Sequence, residues 1–214
     1  MIEPDFLHTT RTAYDVWAAR YAELFANGLE DFPLDRAMLG AFAAFVRADG
    51  GGPVADLGCG PGHVTSLLDS LGLDVSGIDL SPEMISIART ARPDLRFEVG
   101  SMTALDIGDG TLSGATARYS IIHTPPEHLP RVCAEFRRVL APGGHLLVSF
   151  QAHDDPSELA ESFDHKVALA YRWSPDRVAD LLTATGFTEK ARLVRAPMED
   201  ERQFPHAHLL LTRT

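Results

Sequence analysis

The sequence predicts an α/β fold, a parallel sheet covered by helices. Two observations carry this reading. Short apolar strands alternate with amphipathic helices between residues 54 and 150, the pattern of βαβ units. Within that stretch, VADLGCGPG at 54–62 reads as a buried strand, a glycine turn and the start of a helix, and GIDL at 77–80 as a second strand ending in an acid. A length of 214 residues suits one such domain with a sizeable core.

The elements follow in order. Tyr14, Trp17, Ala18, Tyr21 and Phe25 recur at helical spacing, as do Leu34, Met38, Ala41, Phe42 and Phe45, which Pro33 opens and Gly50 to Gly52 close. Strand one is 54–57. The helix after the turn carries Val64, Leu67, Leu68 and Leu71 on one stripe. Strand two is 73–78. Ser81, Pro82 and Glu83 supply a cap, a first-turn proline and a first-turn acid for the next helix, which Pro93 ends. Strand three is 95–99 and strand four 115–122. Pro126 opens a helix whose Leu129, Val132, Cys133, Phe136, Val139 and Leu140 share a face, and the turn at 141–144 leads into strand five, 145–150. Beyond it, 151–162 reads as a polar loop and 167–173 as a strand or extended cover. Ser174 and Pro175 start a helix that Gly186 ends, and 187–194 and 206–211 close the chain as two strands.

The glycine turn is the chemical signal. Glycine lets a backbone turn sharply and approach a ligand closely, and the turn delivers a helix N-terminus that favours an anionic group. Asp79 at the end of strand two can accept hydrogen bonds from a ribose diol. The dinucleotide fingerprint wants a third glycine where His63 stands, so a pyrophosphate site is disfavoured, and no Gly-Lys-Ser/Thr follows for a P-loop.

Bulk properties exclude other classes. The formal net charge is -11, and nucleic-acid binding needs a basic face. An acidic surface is also a poor start for an anionic membrane. Cys59 and Cys133 sit in unrelated contexts and imply no disulfide framework. With no leader pattern at the start and no apolar run of membrane-spanning length, a cytoplasmic protein is expected. Arginine far outnumbers lysine and alanine is abundant, which hints at a GC-rich, bacterial genome.

DLGCGPG followed by an acid at the end of the next strand resembles the cofactor motif of class I S-adenosylmethionine-dependent methyltransferases, in particular small bacterial methyltransferase domains. The resemblance implies a Rossmann-like, seven-stranded sheet, mostly parallel with an antiparallel last strand. It implies one domain over 1–214, with an N-terminal helical lid (1–50), a cofactor-binding core (53–150) and a substrate-side segment with a closing helix and strand pair (151–214). Carried over residue by residue, it puts Asp56, Gly58, Cys59, Gly60 and Gly62 at the methionine end of S-adenosylmethionine, through turn N–H groups on the carboxylate and the acid near the ammonium. Asp79 takes the ribose, Leu80 and Met102 the adenine faces, and Met84 and Arg118 complete the cofactor set. Many relatives carry Asp where this chain has Ser101, a weaker acceptor for the adenine amino group. Tyr14 and Tyr21 belong to the lid helix, with Tyr14 reaching the methionine end or, equally, joining a core-facing aromatic stripe.

Ligands of open α/β sheets lie beyond the carboxyl ends of the strands. That puts Arg118, Tyr119 and His123, after strand four, and His153 with Asp154, after strand five, near the methyl acceptor. His123 is the first choice for a general base, because histidine titrates near neutrality; Tyr119 and His153 are the further catalytic candidates. Tyr171, Arg172 and Trp173 either line the acceptor pocket, with Arg172 pairing with an acidic substrate, or close the core. TPPE at 124–127 lacks the residues of the DNA adenine and protein glutamine methylases. Elimination leaves O or N of a small molecule, for instance a secondary metabolite, with a peptide or protein as a lesser candidate. His206 and His208 share a strand face, but two ligands do not make a metal site, and none is expected. A dinucleotide-dependent oxidoreductase, and a cofactor-binding partner subunit without catalysis, are the competing readings.

Overall fold

A computed structural model describes residues 4–25, 29–155, 157–199 and 201–214; the first three residues, read above for a leader, lie outside it. The chain runs α1 (Asp5–Leu24), α2 (Pro33–Ala48), β1 (Pro53–Leu57), α3 (His63–Ser70), β2 (Asp74–Asp79), α4 (Pro82–Ala91), β3 (Arg96–Val99) and β4 (Leu112–Arg118). Then come α5 (Leu129–Val139), β5 (Leu140–Gln151), β6 (Ala160–Asp164), β7 (Leu169–Trp173), α6 (Pro175–Thr185), β8 (Phe187–Arg195) and β9 (His206–Arg213). Seven strands form one sheet in the order β3-β2-β1-β4-β5-β9-β8, with β9 antiparallel to both its neighbours.

Strand alternation sorts the core into two layers. On β5, Leu146, Val148 and Phe150 face the layer of α5 and α6, where Val132, Phe136 and Leu182 are buried, while Leu147 faces Phe42, Val46 and Leu68 of α2 and α3. On β9, Leu209 and Leu211 divide from Leu210 in the same way. A smaller cluster of Cys59, Ile85, Ala88 and Phe97 seats α4 against the sheet edge.

Four expectations change. Strand four ends at Arg118 and not at 122: Tyr119 has φ 51°, a left-handed conformation that cannot continue a strand, and a 3-10 turn follows at Ile121–His123. Pro126 opens a 3-10 turn, Pro126–His128, which passes into α5 at Leu129. β5 begins at Leu140, its register against β4 jumping from Leu140 to His145 around the turn. The supposed loop at 151–162 contains the start of β6, which pairs with β7 as a separate antiparallel ribbon. The polar sequence of β6 gave no sign of that partner.

Helix α1 lies across α4. Ser81 caps α4 by accepting from the Met84 N–H, worth about 1 kcal/mol for such a cap, and its own hydroxyl donates to Asp15 of α1 at 2.6 Å. The acid thus sits at the positive end of α4 and ties α1 down there.

Candidate active site

The carboxyl ends of β1, β2 and β4 converge beneath α1 on a cleft of about 830 Å³, counting the space that opens to solvent. Gly58 and Gly60 form its floor, Asp79 and Leu80 one side, Met84 and Met102 another, and Tyr14 and Tyr21 the roof. The predicted Ser101, Arg118, Tyr119 and His123 also line it. The turn depends on glycine for a steric reason. Gly58 has φ 75°, and a Cβ there would lie 2.3 Å from the Ser120 Cβ.

Four predicted residues do not line the cleft. Asp56 is buried beneath it, both its oxygens taken by hydroxyls: Thr65 donates at 2.7 Å and Thr116 at 2.9 Å. Burial pushes its carboxyl up to about 6, against the pull of those two hydrogen bonds. Cys59 points away into the α4 cluster, and burial raises its thiol. Gly62 begins α3 with φ 88° and packs against the Phe97 ring. His153 sits between β5 and the ribbon, its N–H donating to the Trp173 carbonyl at 3.2 Å and its ring 3.7 Å from Glu161.

The turn's amides are also committed, contrary to expectation. Gly58 and Cys59 both donate to the Ile78 carbonyl, Gly62 donates to the Cys59 carbonyl, and Gly60 donates to Asp79 Oδ2 at 2.8 Å. These bonds close the turn onto β2 and are not free for a ligand's carboxylate. Asp79 accepts from Ser81 N–H as well, at 2.8 Å, yet each carboxylate oxygen keeps a further lone pair. Burial raises its carboxyl, and these amides oppose the rise. Ser101 and Thr103 share a 2.8 Å hydroxyl contact.

At one end of the cleft His123 is 7% exposed and fixed on both nitrogens. Nδ1 lies 2.8 Å from the Leu169 carbonyl of β7, and Nε2 lies 2.8 Å from the Tyr14 hydroxyl. A carbonyl only accepts, so Nδ1 carries the hydrogen and Nε2 presents its lone pair, to which Tyr14 donates. Burial lowers His123, and His165 from the ribbon turn meets its ring edge-on at 5.0 Å.

Beside it lies a buried polar network that sequence reasoning missed, because its members are scattered over four elements. Asp35 of α2, 1% exposed, accepts from Arg118 at 2.7 Å and from Arg195 at 3.0 Å, with His208 at 3.8 Å. Burial raises Asp35, but the two guanidiniums and His208 together bring it below its ordinary value. Arg118 stacks on the Tyr119 ring at 4.7 Å, and its Nε is buried without a hydrogen-bond partner, as is Ser120 Oγ. Of the other acceptor-side candidates, Arg172 is held by Glu161 and lies over Phe204, while Trp173 is fully buried. His206 and His208 face Tyr119 and Ser149, and no three metal-ligating side chains come together among the described residues.

This strand order and this cleft define the class I methyltransferase fold. Solved structures show the same architecture. The chain superposes over its whole length on 92% of 1,6-didemethyltoxoflavin-N1-methyltransferase from Burkholderia thailandensis, with a TM-score of 0.75 at 20% identity. It superposes equally on 98% of the [4+2]-cyclase SpnF, with a TM-score of 0.76 at 16% identity. At the sequence level, residues 54–144 match the family described as a methyltransferase domain. That segment, less than half of the chain, is where its sequence is similar to methyltransferases. A trans-aconitate 2-methyltransferase from Rhizobium meliloti is 40% identical over 115 residues, which is 50% of this chain and 42% of that protein. The chain thus spans less than half the length of the curated relative it matches.

Proposed function

We propose that the protein transfers a methyl group from S-adenosylmethionine to O or N of a small-molecule acceptor, with His123 as general base. The observation that carries this is one cleft lined both by a buried strand-end acid, Asp79, and by an imidazole, His123, whose unprotonated Nε2 accepts from the Tyr14 hydroxyl of the same lining. The residues present fit the cofactor. Asp79 has lone pairs for the ribose hydroxyls, and Leu80, Met84 and Met102 offer apolar surface to the adenine. With the turn amides engaged, the orphaned Arg118 Nε and Ser120 Oγ are the groups left to meet the methionine end, alongside the Tyr14 and Tyr21 hydroxyls. The cofactor, when bound, supplies a methyl carbon made electrophilic by its sulfonium. The protein's part is to hold the acceptor aligned and dry about 3 Å from that carbon and to accept its proton. Helix α1, latched by Asp15 on Ser81 and by Tyr14 on His123, closes the cleft as a lid.

Thermal unfolding with S-adenosylhomocysteine tests this. A ligand at about 100 times its Kd stabilises by roughly 2.7 kcal/mol, or about 5–10 °C for a chain of this size. Asp79→Ala is expected to lose most of that shift. An unchanged melting temperature in the native protein would sink the cofactor assignment, and a full shift in Asp79→Ala would sink the ribose role. Labelled cofactor offered with a panel of phenols, amines and carboxylic acids then separates a transferase from a binding subunit, which releases no labelled product.

A further inference from the structure

Tyr119 is held in an unusual state. Its φ of 51° is rare for a bulky residue and is sustained by its surroundings: its N–H donates to the Ser149 carbonyl at 2.7 Å, and Arg118 covers its ring. Its hydroxyl lies 2.6 Å from His206 Nδ1. His206 is 4% exposed, and its Nε2, buried without a hydrogen-bond partner, points at Glu201 Oε2 at 3.5 Å. Glu201 is fixed in turn by two bonds from Arg195, at 2.6 and 2.7 Å, and by the Met198 N–H. Arg195 also bonds Asp35, which faces Arg118 and His208.

This order of charges sets the direction of the hydrogens. Nε2 makes no hydrogen bond, and the carboxylate 3.5 Å from it favours the imidazole hydrogen on that nitrogen, which gives Nδ1 the lone pair. The phenol must then donate to Nδ1. Its proton is committed to His206, so what the oxygen of this cleft-lining residue can still offer a ligand is lone pairs alone. A tyrosine normally donates to an anion; this one repels it.

We propose that Glu201 and His206 act as positioning residues that lock the Tyr119 phenol as a hydrogen-bond acceptor, so that the cleft selects methyl acceptors donating an O–H or N–H and turns away carboxylates. The inference rests on the methyl-transfer reading. It is reinforced by the cations of this region: Arg195 is paired with Asp35 and Glu201, Arg172 with Glu161, and Arg118 with Asp35, its remaining Nε being the group assigned above to the methionine end of the cofactor. The selection runs opposite to the tricarboxylate named for the Rhizobium meliloti relative.

The test has two arms. Nitrogen-15 NMR of the histidine rings in the protein without cofactor should show His206 neutral with its proton on Nε2, and the signal should change in Tyr119→Phe. A proton on Nδ1 overturns the proposal whatever the catalytic activity. In the second arm, binding of the ring-matched probes phenol, aniline and benzoate is measured with S-adenosylhomocysteine saturating. Phenol and aniline are expected to bind at least about tenfold tighter than benzoate, the scale of one unpaired buried polar group. Tyr119→Phe should bring the ratio within about threefold. His206→Phe frees the phenol's hydrogen and should raise benzoate binding about tenfold. His206→Asn keeps an acceptor at the Nδ1 position and should keep the native ratio, which a merely structural role for His206 does not predict. Benzoate binding as tightly as phenol to the native protein overturns the proposal, as does a ratio that His206→Phe leaves unchanged. If none of the three probes binds, the imidazole spectrum alone decides. Absence of any S-adenosylhomocysteine binding would instead defeat the underlying methyl-transfer reading.

Discussion

Asp56→Asn isolates the cost of a buried carboxylate beneath the cleft. Asp56 is 1% exposed and accepts from Thr65 and Thr116, and both hydroxyls can turn to suit an amide. Burial outweighs those bonds and holds the carboxyl at about 6 against an ordinary value of 3.8. At 1.36 kcal/mol per pH unit, that gap is roughly 3 kcal/mol of differential stability. The folded value lies above the unfolded one, so the native state keeps its proton longer. Stability from this group is full below about pH 4 and is lost as pH rises through about 6. The asparagine variant has no such loss. Urea unfolding of both proteins between pH 4.5 and 8 should therefore show the variant gaining on the native protein by up to about 1.4 kcal/mol per pH unit. The gain should level off above pH 7, at about 2 kcal/mol over this range, because about 1 kcal/mol of the total is already lost at pH 4.5. Asp79, whose carboxyl is also raised, titrates in both proteins, so the difference reports Asp56. A difference that stays flat from pH 4.5 to 7.5 would refute the reasoning, because the carboxyl would then titrate alike folded and unfolded.

Three further outcomes follow from the geometry. His123→Ala should lose about 10²–10⁴-fold in turnover while keeping its S-adenosylhomocysteine shift, and native turnover in that variant would return His123 to a structural role. Asp35→Ala leaves Arg118 without its carboxylate and Arg195 with Glu201 alone, and should cost about 3–5 kcal/mol in urea unfolding, whereas a loss below about 1 kcal/mol would mean that water rescues Arg118. Gly58→Ala combines a left-handed backbone with a Cβ 2.3 Å from Ser120 and should cost roughly 2–5 kcal/mol; Gly60→Ala, at φ 51° with open space at its Cβ, should cost only about 1–2 kcal/mol, and equal losses would discount the Ser120 contact.

Much of the fold was legible because its signals are local. The caps at Ser81 and Ser174, the prolines beside them and the apolar stripe of α5 each lie within a few residues of one another, so each element declared itself. The ribbon partner of β7 was not legible, since β6 is polar and its pairing runs to residues about ten positions away without a turn signature. In the site, glycines and a strand-end acid marked the cleft, and Asp79, Gly58, Gly60 and Met102 do line it. Motif position alone, however, could not separate residues facing the cleft from those facing the core. Asp56, Cys59 and Gly62 stand in the same motif yet turn inward, because a sharp turn directs successive side chains to different sides.

The sequence by itself determined the succession of helices and strands in the main sheet, the glycine turn and the acid that follows it, since backbone conformation and hydrophobic period are written residue by residue. Only the tertiary structure decided which hydrogens point where. Leu169 sets which nitrogen of His123 accepts, Glu201 sets that of His206 and through it the phenol of Tyr119, and Asp35 pairs with two arginines from 83 and 160 residues away. Proton placement follows from what surrounds a buried group, and those surroundings exist only once distant segments have packed together.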